Sequence, residues 1–397
     1  MSMTAILKGK LVETGRGARV TIGEGRIVGV EECDDALDSW IAPGFVDVQV
    51  NGFAGYDANA SQPSADAVSG MVRALWARGV TGVCPTVGTG SEEHMVRCLE
   101  AIAAACDGEA SVSRSILGIH VEGPHISPED GPRGAHPLQH VRPPSVNEYG
   151  RWQAAARGRI RIITLSPEHP GAIEYIRTIV DDGVIASVGH TAASGPQIRA
   201  AADAGARFST HLGNGAHAMI RRHPNYIWDQ LAEDRMMAGF IFDGHHLPAS
   251  VMQTVVRAKG IERSVLVSDA TAIAGLAPGV YEASFGGLVE LCPDGRMNLL
   301  GTPYLAGSSA SIVDCLENAI RHAGLTLADA IRLASANPVT LLGLDGPKGR
   351  GSVRTGMAAD LTVFRFDAAG TKLTVEETIV GGATVYSEYP QATVPQP

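Results

Sequence analysis

Through the middle of the chain, apolar runs of strand length alternate with stretches whose apolar residues recur at helical spacing. The runs are Ile41–Val50, Val80–Val87, Ile116–Val121, Ile160–Leu165, Val184–Val188, Arg207–Thr210, Met237–Phe242 and Val265–Val267. Between them lie amphipathic segments such as Ser64–Arg78, Ser91–Ala105, Pro170–Asp182, Ser194–Ala204 and Pro248–Lys259, several opening on a Ser or Pro suited to a helix's first turn. Eight strands alternating with helices is the count of a (β/α)8 barrel of the TIM type, an α/β fold. The two ends read differently. Ala5–Val12, Arg19–Ile22 and Arg26–Val30 at one end, and Asp360–Phe366, Lys372–Val380 and Thr384–Tyr386 at the other, are short strands. The simplest organisation pairs residues 1–40 with 350–397 as a small β-sandwich domain and inserts a barrel of residues 41–349 between them. Residues 276–305 interrupt the alternation, and Asp294–Gly295 between apolar runs marks a hairpin insertion. Helices Ser309–Ala323 and Leu327–Ala336 close the body.

Composition narrows the function classes. With 45% hydrophobic and 19% charged residues among 397, the chain can build a sizeable core and is not globally disordered. A formal net charge of −10 argues against nucleic acid as the partner, because binding a polyanion needs a basic face. An anionic small molecule stays compatible, since a pocket can be locally positive on an acidic protein. Cys33, Cys84, Cys98, Cys106, Cys292 and Cys315 show no C-x-x-C spacing, and a chain this long needs no disulfide staples; they read as reduced packing residues. The first residues lack a signal-peptide pattern, and no run approaches the roughly 18 apolar residues of a membrane span. The expectation is a cytoplasmic protein with no membrane partner.

The chemistry lies just past the end of each apolar run. Gln49 and Asn51 close the first, His120 and Glu122 the third, His190 the fifth and His211 the sixth. Asp243, His245 and His246 come after the seventh, and Asp269 after the eighth. In a barrel these are C-terminal strand ends, which share one mouth. Each histidine alone reads equally well as a satisfied polar core residue. Together, Glu122, His190 and His211 form a carboxylate with two imidazoles, a set suited to one divalent metal with a position left for water. Zinc suits it, and iron or manganese also fits. Such an ion acidifies its water and polarises a carbonyl. Asp269, with Ala-Thr-Ala after it, has no local salt bridge to explain it. It suits a proton acceptor that later protonates a leaving amine, or alternatively an N-cap for the next segment.

The stretch Ala42-Pro-Gly-Phe-Val-Asp-Val-Gln-Val-Asn-Gly52 resembles the first barrel strand of the amidohydrolase superfamily. His120-Val-Glu-Gly-Pro124, Gly134-Ala-His-Pro137, Gly189-His-Thr191, Thr210-His-Leu212 and Val267-Ser-Asp-Ala-Thr271 resemble the N-acetylglucosamine-6-phosphate deacetylase family. Gly351-Ser-Val-Arg-Thr-Gly-Met-Ala-Ala-Asp-Leu361 is similar to the superfamily strand that returns to the β domain. The resemblance implies a (β/α)8 barrel with a small β-sandwich, Glu122, His190 and His211 as metal ligands, and Asp269 as catalytic acid/base. It implies His136 as a donor at the substrate carbonyl, where an oxyanion forms. Gln49-x-Asn51 stands where many relatives carry His-x-His, which implies a single ion. On the substrate side it implies Gln49, Asn51, Ala135, Asn214, Gly215, His246, Ala306, Gly307 and Ser308; the segment Leu305–Ala310 reads also as a helix N-cap. Arg222, or its neighbour Arg221, stands for the family's phosphate-binding arginine, donated across a homodimer interface.

The implied reaction is hydrolysis of N-acetylglucosamine 6-phosphate to glucosamine 6-phosphate and acetate. Two loops depart from the family pattern. Thr210-His-Leu-Gly-Asn-Gly-Ala-His-Ala-Met219 replaces Thr-His-Leu-Phe-Asn-Ala-Met, and Glu129-Asp-Gly-Pro-Arg133 is longer by two residues. An unphosphorylated or differently acylated amino sugar is therefore an alternative substrate. A non-catalytic scaffold would predict a damaged ligand set. A cyclic-amide hydrolase or deaminase is disfavoured by Gln49-x-Asn51 and by the lack of a lysine just after Val121 or Leu165.

Overall fold

Strands Phe45–Val50, Val80–Val87, Ile119–Glu122, Ile160–Leu165, Ile185–Val188, Phe208–Ser209, Met237–Ile241 and Ser264–Val267 pair in parallel, each with the next. The computed structural model describes residues 5–35, 38–284, 287–302 and 304–389. The eighth strand returns to the first: Asp269 N donates to Gln49 O at 3.0 Å, and Val50 bridges Ala270, so the ring closes. Helices cover the outside of the ring, so strands such as Val80–Val87 are buried on both faces and read as unbroken apolar runs. Val46, Val48, Ile162, Phe208, Ile241 and Val265 fill the barrel interior together with Val339 and Leu341 from the closing helices. That plug leaves the C-terminal strand ends as the open mouth. Ser64 and Ser91 cap the first two helices, their hydroxyls accepting from Ala67 N and His94 N at 3.2 Å each.

The chain ends pair as expected. Ala5–Leu11, Gly17–Gly23, Arg26–Glu32 and Ser39–Pro43 join Leu361–Asp367, Lys372–Val380 and Ala383–Ser387 in one seven-stranded sheet. Ser39–Pro43 runs parallel to Ala5–Leu11 and antiparallel to Leu361–Asp367, so it is where the two ends meet. The sheet packs around its own core, including Val20, Ile27, Ile41, Leu361 and Ile379. The insertion forms a three-stranded antiparallel sheet, Gly279–Ala283, Gly287–Leu291 and Met297–Leu299, with Asp294–Gly295 in the turn between the last two. All six cysteines are free. Among the described residues no helix is long and apolar enough to cross a membrane.

Two elements differ from the sequence expectation. The run Ile41–Val50 is not one strand: Ser39–Pro43 belongs to the terminal sheet and Phe45–Val50 to the barrel. Both halves are buried, so apolar periodicity cannot mark the break. Gly44 makes the crossing, and a Cβ there would lie 2.1 Å from Thr81 Oγ1. Helix Leu327–Ala336 stops at Leu333 and a new helix spans Ala336–Leu341. Pro338 lacks an N–H and cannot continue the first helix, and Ser335 Oγ donates to Ile331 O at 2.6 Å at the break. Helices Ala110–Ser115, Val146–Ala155 and Tyr226–Ala232 also form; the first and last are too short to show a period.

Gly44→Ala should lower the unfolding free energy by about 1–3 kcal/mol, since Thr81 is held between strands and cannot retreat from the added methyl. Denaturant unfolding of the two proteins checks this.

Candidate active site

The barrel mouth holds a cavity of about 390 Å³, room for a single sugar unit. Glu122, His190 and His211 meet on its floor. Glu122 Oε1 lies 2.9 Å from His211 Nε2 and 3.4 Å from His190 Nε2, and the two Nε2 atoms are 3.0 Å apart. All three side chains are buried. Two facing imidazole nitrogens share at most one proton, which leaves lone pairs crowded among buried side chains. A divalent ion about 2 Å from each atom satisfies all three at this spacing, so the donor set fits a metal. His190 Nδ1 donates to Pro132 O at 2.8 Å, and Gln49 Nε2 donates to Glu122 Oε1 at 2.7 Å. Outer contacts of this kind fix a ligand's tautomer and orientation. His136 is close by: its ligand atom and those of Glu122 and His190 lie within 4.8 Å of one another.

The backbone here is strained. His190 has φ 49°, His211 φ 27° and Asp269 φ 49°, left-handed values that side-chain-bearing residues seldom adopt. Such strain persists only where the surroundings enforce it. Gly215, at φ 55°, passes so close that a Cβ would lie 2.7 Å from His190 Nδ1, so the loop can pass this near the His190 ring only as glycine.

Burial opposes ionisation of Glu122, but hydrogen bonds from His190 and His211 outweigh it and hold the carboxyl well below its usual range. Asp269 is shifted the other way, upward, by burial first and by the charge of Glu122 second. Asn51 Nδ2 donates to Asp269 Oδ1 at 2.8 Å. Burial, then the charge of His190, pushes His136 down to about 3, which keeps the ring neutral. His136 Nδ1 lies 2.8 Å from Thr89 Oγ1, and its ring stands edge-on to His190 at 4.4 Å.

The residues expected around a substrate separate into groups. Asn51, Ala135, Asn214, Gly215, His246, Ala306 and Gly307 line the cavity. His246 Nδ1 donates to Asp243 Oδ2 at 2.6 Å, which aims Nε2 away from that carboxylate. Gln49 is fully buried and braces Glu122. Ser308 corrects the expectation: it is fully buried, its carbonyl accepts Thr271 N at 3.1 Å and its hydroxyl accepts Ala310 N at 3.2 Å, so it shapes the wall from behind. Arg221 and Arg222 are exposed, and Arg221 lines a neighbouring hollow with Met219 and Tyr226. Among the described residues lining the mouth there is no Lys or Arg, while Asp57 and Glu282 add carboxylates. Sequence reasoning missed Thr89, which contacts His136, and Asp57 and the insertion residues Glu282–Ser284, which line the cavity. Thr89, two residues past the second strand, was open to the same strand-end logic; the insertion residues reach the mouth only through folding.

The amidohydrolase family model matches residues 40–385. The chain belongs to the amidohydrolase family. Among its relatives, N-acetylglucosamine-6-phosphate deacetylase of Bacillus subtilis (strain 168) is 33% identical, covering 85% of this chain and 83% of that protein. N-acetylgalactosamine-6-phosphate deacetylase of Escherichia coli O157:H7 is 30% identical over 91% of this chain and 95% of the relative. A solved N-acetyl-D-glucosamine-6-phosphate deacetylase mutant from Mycobacterium smegmatis, in complex with N-acetyl-D-glucosamine-6-phosphate, is 30% identical with a TM-score of 0.85 and covers 97% of this chain and 100% of that one. This amidohydrolase thus falls in the branch of the N-acetylglucosamine-6-phosphate deacetylases.

Below Asp269, Asp47 is fully buried, with Gln49 N and Ser268 N donating to it at 3.3 Å. Burial pushes its carboxyl up to about 7, against these hydrogen bonds. A raised folded-state value means the native protein holds a proton that the unfolded chain has released, so this group costs stability as pH rises from about 4 to 7. Asp47→Asn, in metal-free protein, should therefore gain on the parent by about 2–4 kcal/mol across that interval, read from denaturant unfolding at pH 5 and pH 8.

Proposed function

We propose that this amidohydrolase removes the acetyl group of an N-acetylated amino-sugar phosphate, N-acetylglucosamine 6-phosphate foremost, releasing acetate and the amino sugar. The observation that carries this reading is the meeting of Glu122, His190 and His211 in one triangle of 2.9, 3.0 and 3.4 Å, with Asp269 at the same mouth. The names of the relatives support the substrate class.

Glu122, His190 and His211 would hold one divalent ion, zinc by preference, with iron or manganese also suited to the donor set. When bound, it polarises the acetamide carbonyl and lowers the pKa of a water. Asp269 is raised toward proton binding by burial and by Glu122, and Asn51 occupies its Oδ1, which leaves Oδ2 to take the proton of the attacking water. Once the C–N bond breaks, the same carboxyl returns that proton to the departing nitrogen. His136, held neutral, would accept the Thr89 hydroxyl proton at Nδ1 and so carry its own proton on Nε2, the nitrogen that donates to the carbonyl oxygen as negative charge develops there. Asn214, Gly215 and His246 face the sugar and its substituents.

A phosphate needs positive charge that the mouth's described lining lacks. We assign it to Arg222 or Arg221 of a second copy, in a cytoplasmic homodimer. Met219, 91% exposed, Ile220 and Trp228 flank that loop with apolar surface suited to a subunit contact. The carboxylates Asp57 and Glu282 favour a second reading, an unphosphorylated amino sugar. The E. coli relative's name keeps the galactosamine epimer among the substrates to test.

Asp269→Asn should retain one ion per chain while turnover falls by about 100-fold or more; unchanged turnover would refute the assignment. Acetate release from N-acetylglucosamine and N-acetylgalactosamine, each with and without the 6-phosphate, decides the substrate. The phosphorylated sugars should be preferred at least tenfold, and Arg221→Ala or Arg222→Ala should erase that preference.

A further inference from the structure

Beneath the three converging side chains runs a line of hydroxyls that the proposed chemistry does not use. Ser187 Oγ lies 2.5 Å from Thr210 Oγ1, which lies 2.6 Å from Thr164 Oγ1, which lies 2.7 Å from His120 Nε2. At the far end His120 Nδ1 is 3.0 Å from Val48 O. All four side chains are buried. These contacts fix the direction of every bond. A carbonyl only accepts, so His120 Nδ1 carries a proton, and the Nδ1–H tautomer leaves Nε2 as an acceptor. Thr164 must donate to Nε2. The contact between Thr164 and Thr210 then uses the proton of Thr210, and the contact between Thr210 and Ser187 uses the proton of Ser187. Each hydroxyl has one proton, so the chain has a single sense from Ser187 to Val48.

This chain crosses the strands that carry the candidate ligands. Thr164 sits opposite Glu122 in one parallel pairing and opposite Ser187 in the next. Ser187 lies three residues before His190, and Thr210 immediately before His211. Gly189 makes room for the chain: a Cβ there would lie 2.8 Å from Thr210 Cβ and 2.9 Å from Thr164 Cγ2. The two ligands just past these anchors, His190 and His211, are the strained ones, with φ of 49° and 27°. Strain of that kind relaxes unless neighbouring groups over-determine the backbone.

We propose that Ser187, Thr210, Thr164 and His120 are positioning residues, whose one-way hydrogen-bond chain clamps three strand ends so that Glu122, His190 and His211 keep cation-binding spacing. The proposal rests on the reading of these three as a metal site. It is tested by zinc affinity, measured against a competing chelator, in Thr210→Val, Thr164→Val and Ser187→Ala, with Thr210→Ser as the conservative control. The valine variants should bind zinc about 10- to 100-fold more weakly, and Thr210→Ser, which keeps the hydroxyl, should stay near the parent. If a valine variant fails to fold, Ser187→Ala removes only the terminal donor and should still weaken binding several-fold. Nitrogen-15 spectra of the metal-free protein give a second readout: His120 should be the Nδ1–H tautomer, and Thr164→Val should shift its Nε2 resonance. Zinc affinities within twofold of the parent in all three variants, or a His120 Nε2–H tautomer, would overturn the proposal. A parent protein that binds no zinc would sink the metal-site reading instead, while the tautomer would still report on the chain.

Discussion

Everything at the mouth depends on three lone pairs forced together. Glu122 Oε1, His190 Nε2 and His211 Nε2 sit within 3.4 Å of one another on buried side chains, an arrangement that repels unless a cation or shared protons occupy its centre. The protein maintains it with backbone that would otherwise relax. His190, His211 and Asp269 all take left-handed φ, and the loop carbonyl of Pro132, the amide of Gln49 and the buried hydroxyls below hold their surroundings. Local strain at strand ends is offset by the barrel, whose closed ring and packed interior leave these ends little freedom.

The same enclosure sets the acid–base character. Burial acts on Glu122 and Asp269 alike, yet the two carboxyls separate. Glu122 has two imidazoles against it and stays ionised, while Asp269 has a neutral amide and a nearby negative charge and leans toward protonation. Two carboxyls with opposed proton affinities in one cavity are what a hydrolysis needs, one to hold charge and one to move a proton. Around them the described lining holds no Lys or Arg, and Asp57 and Glu282 add further carboxylates.

Much of this was legible in order along the chain. Strands buried on both faces must be apolar throughout, so eight such runs announced the barrel, and the polar residues placed just after them announced the mouth. Glu122, His190, His211 and Asp269 were legible as candidates for that reason: each falls within two residues of the end of one of these runs. The break at Gly44 was not, because the strands on either side are equally buried and only the approach to Thr81 reveals the crossing. Ser308 was expected at the substrate from the resemblance of Leu305–Ala310 to the family loop, yet its hydroxyl turns back to Ala310 N.

What the sequence determined by itself was the architecture and the candidate reactive groups, since both derive from local pattern: strand length, burial period and residue type at a strand end. What only the tertiary structure decided was which groups touch. The Thr89 hydroxyl at His136, the Pro132 carbonyl behind His190, the insertion residues in the cavity wall and the Ser187–Thr210–Thr164–His120 chain join residues tens of positions apart. A hydrogen bond acts only within about 3 Å and only along its donor's direction. Contacts of that kind exist once the strands have closed into a ring, and no local pattern records them beforehand.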